Sequence, residues 1–137
     1  MITYRYSSHG ITPGQLHGFF EGWLNKPTPD THLRLLEKSD EIIIAVDEET
    51  SAVVGFITAI TDGVLAAYIP FLEVLPAYRG SGIGGELVRR MLERLEGLYM
   101  VDVLCDEKMV PFYEKFGLRG AKGAMLRDYE CQSGRRR

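Results

Sequence analysis

A glycine-rich segment in the second half of the chain constrains the fold more than any other feature of the sequence. Gly80-Ser81-Gly82-Ile83-Gly84-Gly85 places four glycines in six residues, between a long apolar segment and a region of helical periodicity. Glycine has no Cβ, so the backbone of such a segment can approach a ligand closely with its N–H groups exposed. These N–H groups and the positive end of the helix dipole together favour an anion such as a pyrophosphate. A tight strand–helix turn would account for one or two of these glycines but not for four.

Phosphate-binding segments of several kinds contain glycines in this density. The segment matches the GxGxxG pattern of dinucleotide-binding folds, and Asp106 lies about 20 residues further on, where such folds place a ribose-binding acid. However, only 52 residues follow Gly85, too few for the further strand–helix units of that fold. A nucleoside-triphosphate loop is excluded because no Lys-Ser or Lys-Thr follows the last glycine. Arg79 directly precedes the segment and supplies a fixed charge suited to phosphate.

The pattern of apolar residues predicts one α+β domain whose first strands are antiparallel and whose sheet has one β–α–β crossover near its centre. The capping box Thr12–Gln15 and the spacing of apolar residues over 16–24 predict a first amphipathic helix, with Trp23 and its neighbouring phenylalanines in the core. A second helix is predicted through Leu33 and Leu36. Strands are predicted at 2–7, 42–46, 53–60, 64–75, 99–104 and 124–129, and further helices from Gly82 and from Asp106 to Gly117.

Pro70 interrupts the longest predicted strand, 64–75. Proline has no N–H to donate to a neighbouring strand, so its position predicts a β-bulge or a loss of pairing. We therefore expect the sheet to be opened just before the glycine-rich segment.

Composition and charge limit the classes of function. A hydrophobic fraction of 45% and a charged fraction of 26% are near the averages of soluble globular proteins, and the net charge of −3 argues against a general nucleic-acid binder. The chain has no apolar run of membrane-spanning length and no signal-peptide pattern at its start. Cys105 and Cys131 are too isolated for a metal site. We expect a cytoplasmic monomer or homodimer that binds no metal, nucleic acid or membrane, with one domain, 1–130, and a flexible tail, 131–137.

Two segments give the chain a resemblance to a known family. The segment 74–84, Val-x-Pro-x-Tyr-Arg-Gly-x-Gly-Ile-Gly, resembles motif A, the acetyl-CoA signature of the GCN5-related N-acetyltransferase superfamily. The segment 112–118, Phe-Tyr-Glu-Lys-Phe-Gly-Leu, resembles motif B of that family. The resemblance covers 71–118, about a third of the chain. It implies a mixed, mostly antiparallel sheet of six to seven strands with about four helices, splayed where acetyl-CoA binds.

The resemblance also implies a reaction, the transfer of an acetyl group from acetyl-CoA to a primary amine of a small molecule or peptide. Tyr113 matches the family's general acid, which protonates the departing thiolate. Asp106 stands where the family often has an asparagine that contacts pantetheine, and a carboxylate there can cap the helix but cannot donate a hydrogen bond. Together with Arg79, the residues predicted to bind the cofactor are Leu72, Glu73, Val74, Gly80, Ser81, Gly82, Ile83, Gly84, Gly85 and Asp106.

The group that takes the proton from the amine is less constrained by the sequence. Glu73 is a candidate general base because it is an acid in an otherwise apolar strand beside the predicted acetyl group, although it could equally face solvent. Tyr68 on the same strand and a chain of waters are alternatives. The histidines His9, His17 and His32 lie outside both motifs, and we expect them on the surface or in the core.

Two other functions are compatible with the glycine-rich segment. One is a CoA-binding regulatory module without catalysis, and the other is a nucleotide-dependent oxidoreductase. A tyrosine at position 113 favours an enzyme over a binding module, because binding alone does not require a hydroxyl there. A role for this ring in packing the last helix is the competing interpretation.

Overall fold

Within residues 1–135, which the computed structural model describes, five strands form one mixed sheet in the order β1–β2–β3–β4–β5. Neighbouring strands are antiparallel except β5, which is parallel to β4. No helix in this part of the chain is long and apolar enough to cross a membrane. The strands are β1 (Ile2–Arg5), β2 (Glu41–Asp47), β3 (Ala52–Thr61), β4 (Ala66–Val74) and β5 (Met100–Val103), and the α-helices are α1 (Pro29–Lys38), α2 (Ile83–Arg94) and α3 (Val110–Glu114).

Each face of the sheet is covered by its own apolar cluster. Successive residues of β2 alternate between them: Ile43 packs in the cluster that contains Leu87 and Met91 of α2, whereas Ile44 packs in the cluster that contains Leu36 of α1. All five side chains are at most 1% exposed. The central strands are apolar on both faces because helices cover both sides.

The described residues contain fewer elements than the sequence predicts, five strands instead of six to seven and three α-helices instead of about four. The predicted strand 124–129 does not form, and its Met125 and Leu126 are 66% and 87% exposed. Glycines at 117, 120 and 123 precede it. Glycine loses more conformational freedom on ordering than any other residue. Ordering the glycine-containing stretch 117–123 would therefore cost entropy, which disfavours pairing of 124–129 with the sheet.

The amphipathic helix predicted over 16–24 is also wrong, because this segment is irregular. Gly18, Phe20 and Gly22 have φ angles of 91°, 61° and 82°, in the left-handed region that a right-handed helix excludes. Phe19 and Phe20 are nevertheless buried, at 4% and 2% exposure. The apolar spacing therefore predicted burial correctly and secondary structure incorrectly. We call these residues the 16–24 segment.

The last described turn lies against the connection between β1 and α1. Asn25 donates its side-chain N–H to the carbonyl of Tyr129 at 2.8 Å and its backbone N–H to the Oε1 of Gln132 at 2.9 Å. Part of the predicted tail, 131–137, is therefore hydrogen-bonded to the domain, while 136–137 lie outside the described residues. The domain boundary at 130 stays a prediction.

His32 of α1 is buried in the core among aromatic rings. The sequence predicted either the surface or the core for this residue. Its ring centroid is 4.4 Å from that of Phe56, 4.9 Å from Phe20 and 5.1 Å from Phe19. The residue is 1% exposed, and neither ring nitrogen has a hydrogen-bond partner among the described residues. Burial lowers the pKa of His32 to about 4, since the charged imidazolium is poorly solvated there.

We expect the free energy of unfolding to fall as the pH drops from about 6.5 to about 4, because the unfolded chain then binds a proton that the folded chain excludes. The loss due to His32 alone amounts to about 3 kcal/mol. Urea unfolding of the protein and of His32→Leu at pH 4 to 7 measures it, with His9→Leu, at an exposed position, as control. An identical pH dependence in all three proteins would contradict the assignment.

Candidate active site

Strands β4 and β5 separate at Pro70. Their parallel pairing ends where Ile69 lies opposite Val103, and within residues 1–135 no strand pairs with the last five residues of β4 on that side. On the other side, the register with β3 shifts between Thr58 and Ile60, which gives β4 one extra residue beside the proline. The prediction of a bulge or lost pairing is confirmed, and both occur. Backbone groups of β4 are thus available to a ligand.

The N-terminus of α2 is formed by glycines in unusual conformations. Gly80 and Gly82 have φ angles of 84° and 89°, where a residue with a side chain is strained, and Gly82 is the N-cap. A Cβ on either residue would meet no atom within 4 Å, so the backbone faces open space. The first N–H groups of this 12-residue helix have no partner within it. The side chain of Ile83 is buried, which leaves only its backbone N–H for the predicted contact.

Gly84 and Gly85 lie in the first turn of α2 beside the aromatic residues of motif B, where a methyl group would make only ordinary van der Waals contacts. A Cβ on Gly84 would lie 3.9 Å from the Cζ of Phe112, and one on Gly85 would lie 3.4 Å from the Cζ of Phe116. Positive φ angles account for two of the four glycines, Gly80 and Gly82, which agrees with the one or two that we expected a tight turn to require. The first pair also leaves its backbone exposed, which is the property that anion binding needs.

The side chains of Arg79 and Ser81 form bonds within the protein. Arg79 donates from Nε to the carbonyl of Val74 at 2.9 Å, and its Nη2 lies 2.8 Å from the Oε2 of Glu21. Ser81 donates from Oγ to the carbonyl of Tyr78 at 2.8 Å. The charge predicted to bind phosphate is thus directed at a carboxylate of the 16–24 segment. Nothing in the sequence around Glu21 signals this pairing.

Glu73 links β4 to the 16–24 segment. Its Oε1 accepts a hydrogen bond from the backbone N–H of Phe20 at 2.8 Å, and its Oε2 accepts one from that of Glu21 at 3.2 Å. The side chain is half-buried, so the expected alternative of a residue that simply faces solvent is not what the structure shows. These two bonds hold Phe20 in its left-handed conformation, which costs free energy that other contacts must offset.

Alternate residues at the end of β4 face opposite sides of the sheet. Leu72 and Val74 pack against the cluster that contains α2, whereas Phe71 packs against the cluster that contains α1. The side chain of Glu73 reaches the 16–24 segment on the same side as Phe71. Any contact of Leu72 and Val74 with an extended ligand in the sheet opening therefore has to use their backbone groups.

Tyr113 lies on α3 and is 8% exposed. Its ring meets that of Phe112 edge to face, at 5.0 Å between centroids. Burial raises the pKa of the Tyr113 hydroxyl to about 12, and the neighbouring Cys105 adds a smaller effect in the same direction. The hydroxyl is therefore protonated at neutral pH, so it can donate a proton but cannot accept one.

Asp106 is the N-cap residue of the turn that leads into α3, but its carboxylate makes no capping bond, and the N-cap residue of α3 itself is Met109, so the predicted cap of the last helix is not formed. That turn is a 3₁₀ turn, Glu107–Met109, and its first bond runs from the N–H of Met109 to the backbone carbonyl of Asp106 at 2.8 Å. The side chain of Asp106 is exposed, which leaves its predicted contact with pantetheine a prediction.

A cleft of about 270 Å³ lies beside the end of β4. It is lined by residues 70–73 of that strand, by Phe20, Glu21 and Trp23 of the 16–24 segment, and by Phe56 and Arg79. Of the predicted site residues, the cleft brings together Leu72, Glu73 and Arg79, and it does not include Tyr113 or the glycines. Tyr68, the alternative base, does not line it either. No group of three His, Cys, Asp or Glu side chains within residues 1–135 could hold a metal ion.

The chain is similar to known acetyltransferases in sequence and in fold. Residues 10–118 match the family model described as "Acetyltransferase (GNAT) family". The crystal structure of a proposed acetyltransferase from Deinococcus radiodurans R1 has a TM-score of 0.95 and 46% identity, over 99% of this chain and 94% of that one. A GNAT family acetyltransferase from Streptococcus pneumoniae TIGR4 has a TM-score of 0.75 and 29% identity, over 93% of this chain and 98% of that one.

Curated relatives are similar over a shorter stretch. A glucosamine 6-phosphate N-acetyltransferase from Trypanosoma brucei brucei is 38% identical over 68 residues, which make up 48% of this chain and 46% of the relative. The chain spans about half the length of the curated relatives it matches. The acceptor named for the trypanosome protein is therefore a property of a protein that matches this chain over one segment only.

Proposed function

The chain belongs to the GNAT family of acetyltransferases, and we propose that it transfers the acetyl group of acetyl-CoA to a primary amine. The family match spans both motifs, so the resemblance predicted from them is confirmed. The observation that carries the proposal is the opening of the sheet at Pro70, which a short connection, 75–82, joins to the exposed N-terminus of α2. An extended ligand with a pyrophosphate fits these two features together.

The residues present fit acetyl-CoA. In the proposal, the backbone N–H groups of Gly80–Gly85 hold the pyrophosphate, since the helix N-terminus offers unpaired donors and a favourable dipole. The backbone of Leu72–Val74 pairs with pantetheine along the open edge of β4. Arg79 supports this edge through its bond to the carbonyl of Val74, rather than by direct contact with phosphate. When bound, acetyl-CoA supplies the acetyl group as a reactive thioester.

The reaction poses two proton-transfer problems for the protein. A protonated amine loses two protons from nitrogen, one to become the free nucleophile and one as the amide bond to the acetyl carbon forms and the carbon–sulfur bond breaks; one proton reaches the sulfur and the other is released. A lysine-like amine has a pKa of about 10.4, and freeing it at neutral pH costs about 4–5 kcal/mol. The site must therefore supply both a group that accepts a proton and a group that donates one.

We assign the two roles to Tyr113 and Glu73. Tyr113 donates the proton to the sulfur, since its hydroxyl, with a pKa of about 12, carries its proton at neutral pH. Glu73 lines the cleft, and each of its oxygens has accepted one backbone hydrogen bond, which leaves lone pairs for an ammonium group or a water. It takes the proton from the amine, directly or through water. Tyr68, the alternative base, does not line the cleft, so Glu73 is the better placed of the two.

The setting in which the protein works is also part of the proposal. We propose a cytoplasmic protein, monomeric or homodimeric, that acts on a small-molecule or peptide amine. Its two cysteines, Cys105 and Cys131, are free thiols, which suits a reducing compartment. The net charge of −3 gives no reason to expect nucleic acid as a partner.

Acetyl-CoA is expected to stabilise the folded protein, and NADH is not. At a concentration of one hundred times its dissociation constant, a ligand that binds only the folded state adds about 2.7 kcal/mol to the free energy of unfolding. Thermal unfolding with each ligand measures this effect, and thiol release with a mixture of primary amines measures turnover. Stabilisation by NADH but not by acetyl-CoA would contradict the proposal. Stabilisation by acetyl-CoA without thiol release would instead indicate a CoA-binding module.

A further inference from the structure

We infer, on the basis of the proposed function, that the acceptor is a primary amine carried on a flat apolar body, and that it bears no phosphate or carboxylate. The aromatic rings and the charged groups of the cleft beside β4 support this inference. The cleft, of about 270 Å³, is open to solvent on one side, so the chemistry of its wall, rather than its volume, limits the acceptor.

Aromatic rings form one wall of the cleft. The ring centroid of Phe20 is 4.9 Å from that of Trp23 and 6.3 Å from that of Phe71, and the last two are 6.2 Å apart. Trp23 and Phe71 are only half-buried, so part of their ring surface is open to a ligand. A flat apolar group gains most from such a wall by stacking, and an ammonium group is attracted to the ring faces.

The wall is held in place before any ligand arrives. Glu73 accepts hydrogen bonds from the backbone N–H groups of Phe20 and Glu21 at 2.8 and 3.2 Å, and these bonds connect the 16–24 segment to β4. His32 and Phe56 pack against the ring of Phe20 from the core, with centroids 4.9 and 6.1 Å away. A preformed wall does not have to be ordered on binding, so ring contacts contribute more of their energy to affinity.

The charged side chains of the cleft favour a cation. Glu21 and Glu73 are acidic and Arg79 is basic, so the formal charges of these three side chains add up to −1. Arg79 pairs with Glu21 and with the carbonyl of Val74, at 2.8 and 2.9 Å, so its charge is already partly offset by a carboxylate. Among the described residues that line the cleft, no other basic group is present to hold a phosphate or carboxylate. An ammonium group is matched by this charge, whereas an additional anion on the acceptor is repelled.

An acceptor without a phosphate would differ from the one named for the trypanosome relative, glucosamine 6-phosphate. The basic groups near the cleft belong to a neighbouring cavity of about 160 Å³ that shares Phe20 with it and contains His17, Lys26 and His32. Burial lowers the pKa of His32 to about 4, so this imidazole is neutral at pH 7. If that cavity took part in acceptor binding, a phosphorylated amine would be preferred, which the experiment below detects.

The test compares three amines at saturating acetyl-CoA: 2-phenylethylamine, phenylalanine and glucosamine 6-phosphate. Phenylalanine has the same ring and amine as 2-phenylethylamine and adds only a carboxylate. We expect kcat/KM for 2-phenylethylamine to exceed the values for the other two by about tenfold or more. The difference from phenylalanine is expected to shrink at high salt, because screening weakens repulsion between charges.

Two variants connect this preference to the cleft. Glu21→Gln removes one negative charge and frees Arg79, so the ratio of kcat/KM between 2-phenylethylamine and phenylalanine is expected to fall by about threefold or more. Glu37→Gln is the matched control, because it removes an exposed glutamate that does not line the cleft. Trp23→Ala is expected to raise KM for 2-phenylethylamine by about fivefold or more, with KM for acetyl-CoA unchanged.

The outcomes separate the inference from the proposed function. Equal or better use of phenylalanine or glucosamine 6-phosphate overturns the inference and leaves the acetyltransferase proposal standing. The same conclusion follows if Glu21→Gln and Glu37→Gln behave alike, or if only strongly polar amines in a wider panel are acetylated. Acetyl-CoA binding without transfer to any amine overturns the proposed function, and the inference with it.

Discussion

Tyr113→Phe is expected to lower kcat by a factor of about 10² to 10⁴, which is the usual effect of removing a general acid. The phenylalanine ring preserves the contact with Phe112 and the burial in the α2 cluster, so the fold and the KM for acetyl-CoA change little. Only the proton is lost. Initial rates of thiol release, measured with saturating acetyl-CoA and an accepted amine, determine the effect.

If the hydroxyl of Tyr113 acts as a general acid, the rate of Tyr113→Phe depends on the leaving thiolate. A role in packing predicts no such dependence. A donor whose thiolate is a better leaving group needs less help from an acid, so a more acidic thioester is expected to restore part of the rate of Tyr113→Phe. Tyr99→Phe is the matched control, since Tyr99 is 83% exposed, and it is expected to behave like the wild type. A well-folded Tyr113→Phe protein with wild-type kcat would show that solvent or another group supplies the proton.

The parts of the site that were predictable from the sequence are those whose cause is local. Pro70 cannot donate a hydrogen bond, wherever the rest of the chain lies, and the sheet opens at this residue. Gly80 and Gly82 adopt left-handed conformations at the start of a helix, a use of glycine that its lack of a Cβ permits. Such effects act within a few residues, so the sequence alone suffices to locate them.

The acceptor side of the site was not predictable, because its contacts join residues far apart in the chain. Glu73 bonds to the backbone N–H groups of Phe20 and Glu21, more than fifty positions away, and backbone donors leave no trace in the sequence. Helical spacing over the 16–24 segment also pointed to the wrong element. Gly18 and Gly22 allow left-handed turns there, so the segment buries the same side chains without a helix.

The ion pair between Arg79 and Glu21 results from the same non-local packing. A basic residue before a glycine-rich helix start predicts phosphate binding, and the sequence offers no competing acid nearby. The competitor, Glu21, comes from the 16–24 segment, which only the tertiary fold brings to the loop. The glycines can hold an anion without Arg79, since their N–H groups belong to the backbone.

Gly82→Asp is expected to weaken acetyl-CoA binding by about 100-fold or more, because it places a carboxylate at the N–H groups that hold the pyrophosphate. The fold is expected to survive. A Cβ at this position meets no atom within 4 Å, so the cost is limited to backbone strain of about 1–2 kcal/mol, and a negative charge at a helix N-terminus is itself stabilising. Calorimetric titration with acetyl-CoA measures the affinity, and thermal unfolding confirms the fold.

Gly97→Asp provides the matched control, because Gly97 has a φ of 95°, also meets no atom within 4 Å and lies beyond the other end of α2. It introduces the same side chain and the same kind of strain far from the predicted pyrophosphate, so its acetyl-CoA affinity is expected to match the wild type. Gly82→Ala adds the strain without the charge, and its loss of affinity is expected to fall between the two. Since the difference between Gly82→Asp and Gly97→Asp isolates the position of the charge, equal affinities in these two proteins would place the pyrophosphate away from the N-terminus of α2.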